Sequence, residues 1–78
     1  MDARTLEQLR AHLMETDPGF RRLAEQHSEY DSRLRELGSR HYLTEEEKLE
    51  EVRLKKLKLR LKDQMQEMLD QQHAQRVN

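Results

Sequence analysis

His27, Ser28 and Asp31 put an imidazole, a hydroxyl and a carboxylate within five consecutive residues, the residue types of a base, a nucleophile and an orienting acid. On a helix, His27 and Asp31 lie four apart on one face, whereas neighbours such as His27 and Ser28 point about 100° apart. No glycine-rich loop supplies paired N–H donors for an oxyanion, and a narrow helical chain has no room for a large pocket. The set is therefore expected to be non-catalytic. His27 reads as a polar interruption of an apolar seam, which fixes register and partner choice at some cost in stability. The four histidines, His12, His27, His41 and His73, include no pair at helical ligand spacing. With no cysteine there is no thiolate nucleophile, disulfide or cysteine metal site, and no metal or other cofactor is expected.

A second concentration of chemistry lies between Arg53 and Lys62, where Arg53, Lys55, Lys56, Lys58, Arg60 and Lys62 supply six positive charges in ten residues. Such a run suits phosphates or an acidic partner, with Lys55, Lys56, Lys58 and Lys62 as the contacts. Its charges are distributed around the helix, and Phe20, Tyr30 and Tyr42 are the only aromatics, so a stacking platform for nucleic acid is missing. Solvated stems that cover apolar surface are the plainer reading. The formal net charge of −1 also argues against a polyanion binder by bulk charge.

The elements that must position these groups are helices. Ala, Glu, Lys, Leu and Arg make up 43 of the 78 residues, the level expected of long helices and coiled coils. Two glycines and one proline leave few breakers, and 4% aromatic content disfavours sheet. No apolar run approaches a membrane span and no signal peptide is evident, so a cytoplasmic protein is expected.

Asp17-Pro18-Gly19 marks a boundary. Upstream, Leu6, Leu9 and Leu13 predict a short helix over about 3–16, capped by Asp2 or Thr5. Downstream, Phe20, Leu23, His27, Tyr30, Leu34 and Leu37 follow a 3-4-3-4-3 spacing, a heptad seam. Pro18 suits the first turn of this helix, and Gly38 suits a left-handed stop, giving about 18–37. Thr44 with Glu47 forms a capping box, strengthened by Glu45 and Glu46 at the positive end of the helix dipole. A third helix then runs over about 44–72, with a frayed tail over 73–78. The expectation is one all-α unit over 1–78: an antiparallel, coiled-coil-like helical hairpin preceded by a short N-terminal helix.

Antiparallel pairing sets Leu34 by Leu49 or Glu50, Tyr30 by Leu54, His27 by Leu57, Leu23 by Leu61 and Phe20 by Met65. It also brings Arg33 and Arg35 near the acidic start of the third helix. The third helix overhangs the second by two turns or more, and Leu9 and Leu13 can pack on the overhang at Met68 and Leu69. One stripe of the third helix, Leu54, Leu57, Leu61, Met65 and Met68, closes the hairpin seam. A second, Leu49, Val52 and Leu59, points nearly the opposite way. A chain this small gains only about 3–5 kcal/mol from one core, so the second stripe is expected to bury against another copy first, or else against a different protein or the N-terminal helix.

The segments LAEQHSEYDSRLREL and LKKLKLRLKDQMQEML resemble the YdcH-like proteins, small bacterial chains of unknown function, over roughly residues 18–70. There a short leader precedes a helical hairpin whose first arm carries a leucine, a histidine and a hydrophobic-Asp pair. Leu23, His27, Tyr30 and Asp31 occupy those places, with Tyr30 where leucine is more usual. The lysine-rich second arm is matched by Leu54, Lys55, Lys56, Lys58, Leu59, Leu61, Lys62 and Asp63, then Met68 and Leu69. The resemblance implies a fold and no reaction.

Overall fold

A single residue, Asp17, separates α1 (Ala3–Thr16) from α2 (Pro18–Gly38) in the computed structural model, which describes residues 3–77. Its backbone is extended (φ −119°, ψ 104°), and its carboxylate accepts from the N–H groups of Gly19 at 2.9 Å and Phe20 at 3.1 Å. Two donors that a helix start leaves unpaired are thereby satisfied, and Pro18 has no N–H to satisfy. The Asp17 N–H donates to Leu13 O at 2.9 Å, so the same residue closes α1 and opens α2. Asp2 lies outside the described residues, and Thr5 stands inside α1 rather than ahead of it.

Gly38 is not a left-handed stop, since no described glycine has a positive φ. α2 ends instead on Ser39 in right-handed geometry, its N–H reaching Arg35 O at 3.1 Å and Glu36 O at 3.3 Å. The Ser39 hydroxyl donates to Glu36 O at 2.8 Å, and with the last turn tightened in this way no left-handed residue is required. Thr44 then opens α3 (Glu45–Val77): the Glu47 N–H donates to Thr44 Oγ1 at 3.1 Å and the Thr44 N–H to Glu47 Oε1 at 3.0 Å. α3 continues to Val77, past the expected end near Gln72, because His73 to Val77 contain no proline or glycine.

At 1.5 Å per residue α3 is about 50 Å long and α2 about 32 Å, so the hairpin leaves an overhang of about 18 Å. The overhang is covered by α1, which packs on both other helices. Leu9, Leu13, Phe20 and Leu69 close there into one buried cluster, each 2% exposed or less, with Leu6, Met65 and Met68 packed against it. Leu37 is buried at the turn end of α2. Between these ends the first-arm seam of Leu23, His27, Tyr30 and Leu34 is half-buried. The molecule is a rod of 51 × 24 × 16 Å.

The second arm departs from expectation at one position. Leu54, Met65 and Met68 are half-buried and Leu61 is buried, but Leu57 is 38% exposed and Lys58 takes its place in the seam. One line of inward positions on α3 runs through Glu47, Glu51, Leu54, Lys58, Leu61, Met65, Met68 and Gln72, an unbroken alternation of four and three, with Glu50, Leu69 and His73 turned inward beside it. Leu57 followed by Leu61 and Met65 gives two successive steps of four, which drift off that line at 100° per residue.

Leu69→Ala, which empties a fully buried site, is expected to destabilise the chain by about 2–5 kcal/mol. Leu57→Ala is expected to stay below about 1 kcal/mol. Urea titrations followed by helicity measure both, and equal losses would contradict the placement of Leu57. Asp17→Ala is expected to cost about 1 kcal/mol through the lost cap, read in the same titration.

Candidate functional site

Polar groups from both arms meet across the half-buried middle of the hairpin. Arg33 of α2 grips Glu50 of α3 with two parallel hydrogen bonds, Nε to Oε2 and Nη2 to Oε1, both 2.8 Å. This fork pairs planar groups with defined geometry and pins the two arms in register. Two residues earlier, the Asp31 carboxylate accepts from Lys58 of α3 and from Arg35 of its own helix. At the turn, Arg40 donates to Glu36 at 2.9 Å and to Glu47. Arg33 therefore reaches the acidic start of α3 as expected, whereas Arg35 turns back to Asp31, and the residue that clamps the turn is Arg40. The signal for Arg40 was its position between Glu36 and Glu47 in a short connection.

These contacts shift the acids in one direction. The hydrogen bond from Lys58, with Arg35 close by, holds the Asp31 carboxyl below its ordinary value. Arg33 holds Glu50 down, and Arg33 with Arg40 does the same to Glu36. The Arg33 guanidinium is in turn held charged more firmly by Glu50 and Glu36.

The basic residues of α3 divide between two sides. Lys55, Lys58 and Lys62 line a groove with Leu34, Arg35 and Leu59. Lys58 and Lys62 also line a neighbouring hollow with Arg10, His27 and Met65. Lys56 lies in a separate depression with Arg53, Leu57 and Arg60. Lys55, Lys56, Lys58 and Lys62 thus do not share one surface. Lys55 is paired with Glu51 at 3.4 Å and Lys58 with Asp31, while Lys56 and Lys62 have no carboxylate partner among the described residues.

Leu49, Val52 and Leu59 are 58%, 49% and 58% exposed, a bare stripe on α3. Of the residue types that could form a nucleophile-base-acid set, Ser28 is exposed, His27 is half-buried, and the Asp31 carboxylate is taken up by Lys58 and Arg35. The histidines stand on separate segments, His12 on α1, His27 on α2, His41 in the connection and His73 on α3. No described helix is long and apolar enough to cross a membrane.

Because the folded-state values of Asp31, Glu36 and Glu50 lie below their unfolded ones, the stability they contribute is present above about pH 4 and is lost as pH falls through the folded values. Asp31→Asn is expected to lower the melting temperature at neutral pH, and the gap from the native chain is expected to close as pH falls below about 4. A gap that is the same across that range would contradict the Asp31 pairing.

No curated protein and no solved structure matches the chain. The model of a family described as a protein of unknown function, DUF465, matches residues 20–69, from the buried Phe20 of α2 through the turn to the buried Leu69 of α3. This is the family of the YdcH-like proteins, and the match spans the hairpin arms that carry His27, Asp31 and Lys58. The chain belongs to the DUF465 family of small uncharacterised bacterial proteins.

Proposed function

We propose that this chain is a non-enzymatic interaction module that self-associates through Leu49, Val52 and Leu59 of α3. The observation that carries the reading is the bareness of that stripe: all three side chains are about half exposed or more, although α1 has already folded back to close the cluster of Leu9, Leu13, Phe20 and Leu69. No further element of the described chain remains to cover them. Small symmetric oligomers are the common means of burying such a surface, each copy offering the same patch to the other.

The charge order along α3 favours a second copy as the occupant. Glu45, Glu46, Glu47, Glu50 and Glu51 open the helix, and the basic stretch of Arg53 to Lys62 follows. Two such helices crossing antiparallel about a two-fold axis lay each acidic start over the other's basic stretch. Setting Leu49 against Leu59 of the partner subunit brings Glu46 toward Lys62 of the partner subunit. Opposed charges of this kind orient an encounter and add little affinity, so the leucines supply the energy.

Sedimentation equilibrium at about 100 μM, where an association of micromolar Kd is saturated, is expected to give a mass above that of the 9.5 kDa monomer. Leu49→Glu combined with Leu59→Glu is expected to return it to the monomer with helicity unchanged. A native chain that is monomeric there, or a double variant that associates as strongly, would overturn the reading.

A further inference from the structure

We propose that the hollow where α1 meets the hairpin is a binding site for a phosphate-type dianion, held by Arg10, His27, Lys58 and Lys62. These four side chains come from three helices, Arg10 from α1, His27 from α2, and Lys58 and Lys62 from α3, and they converge on one concavity of about 360 Å³ with Met65 among its walls. That is within the range of small-molecule sites and ample for a phosphoryl group with part of the molecule that bears it.

Origin sets the hollow apart: its cations include one from α1, whereas the depression of Arg53, Lys56 and Arg60 draws its cations from α3 alone and the groove of Arg35, Lys55, Lys58 and Lys62 draws none from α1. Arg10 and Lys62 have no carboxylate partner among the described residues, and Lys58 shares Asp31 with Arg35. No acidic side chain lines the hollow. The chain as a whole carries −1, so the local excess of positive charge is not a reflection of bulk composition. It arises because the corner at Asp17 folds α1 back and brings Arg10 across to the lysines of α3. Clustered cations repel one another, and a bound dianion reverses the sign of that interaction.

The donor set selects the ligand class. A guanidinium fork, two ammonium groups and an imidazole N–H present donors from several directions, which suits the tetrahedral oxygens of a phosphoryl group better than a planar carboxylate. A base-reading or single-strand nucleic-acid site is built on large aromatic faces, and no Phe, Tyr or Trp lines the hollow. His27, a polar interruption in the apolar seam of α2, thereby acquires a role as a donor in the lining of this site. The site uses none of Leu49, Val52 and Leu59, so it stands whether or not the chain self-associates.

The test is calorimetric titration of the full chain with pyrophosphate, and separately with vesicles containing phosphatidic acid, at about 150 mM salt to suppress diffuse charge attraction. Saturable one-to-one binding of pyrophosphate is expected, weakened about tenfold or more by Arg10→Gln and by Lys62→Gln, since each removes a charge-assisted contact. Both side chains are exposed, so the variants are expected to keep native helicity. Lys56→Gln with Arg60→Gln removes two charges from the other side of α3 and is expected to leave binding unchanged. Binding of the vesicles alone, with the same pattern of variants, assigns the phosphate to a lipid headgroup and supports the site. Absence of saturable binding to either probe, or equal weakening by the Lys56 and Arg60 substitutions, overturns it.

Discussion

Two helices lying side by side cannot surround a side chain, and this geometric limit governs the structure. Along most of the hairpin the facing residues are only half-buried, because solvent reaches them from either side of the pair. Closure is achieved where a third wall is present. α1 supplies it over the overhang of α3, and Leu9, Leu13, Phe20 and Leu69 become inaccessible there. The wall can stand in that place because Asp17 ends one helix and caps the next without an intervening loop. The backbone economy of that corner is therefore what turns a marginal hairpin into a small three-helix unit.

Away from the closed end the hairpin is held in register more by directed polar contacts than by burial. The two-pronged bond of Arg33 to Glu50 and the link of Lys58 to Asp31 fall where solvent reaches the seam. Exposed ion pairs contribute at most about 1 kcal/mol each. Their value here is positional, since slipping one arm along the other by a turn would separate both pairs. Lys58 shows the compromise: its stem occupies a seam position that an apolar residue would fill more stably, and its ammonium reaches a carboxylate on the opposite arm.

Much of this was legible in the amino-acid pattern, for identifiable reasons. The Asp-Pro-Gly corner, the capping box of Thr44 and Glu47, and the 3-4 spacing from Phe20 to Leu37 are local signals, and local signals survive without knowledge of tertiary packing. The seam position of α3 was not legible, because apolar character favours Leu57 where strict helical phase favours Lys58. Gly38 was over-read as a left-handed stop, since the Ser39 hydroxyl and N–H satisfy the last carbonyls from ordinary geometry. The gathering of Arg10 with His27, Lys58 and Lys62 was not legible at all, being a product of three helices that meet only after the corner has formed.

One division follows from these features: beyond Leu61, Met65, Met68 and Leu69 of α3 pack into the closed end, whereas from Leu49 to Leu59 the stripe of Leu49, Val52 and Leu59 stays exposed, the surface that the proposed self-association would bury. Amide hydrogen exchange across a dilution series tests that division directly. Protection at Met65 to Leu69 should be independent of protein concentration, whereas protection from Leu49 to Leu59 should rise as the chain is concentrated. Protection in the Leu49 to Leu59 segment that does not change with concentration would contradict the account.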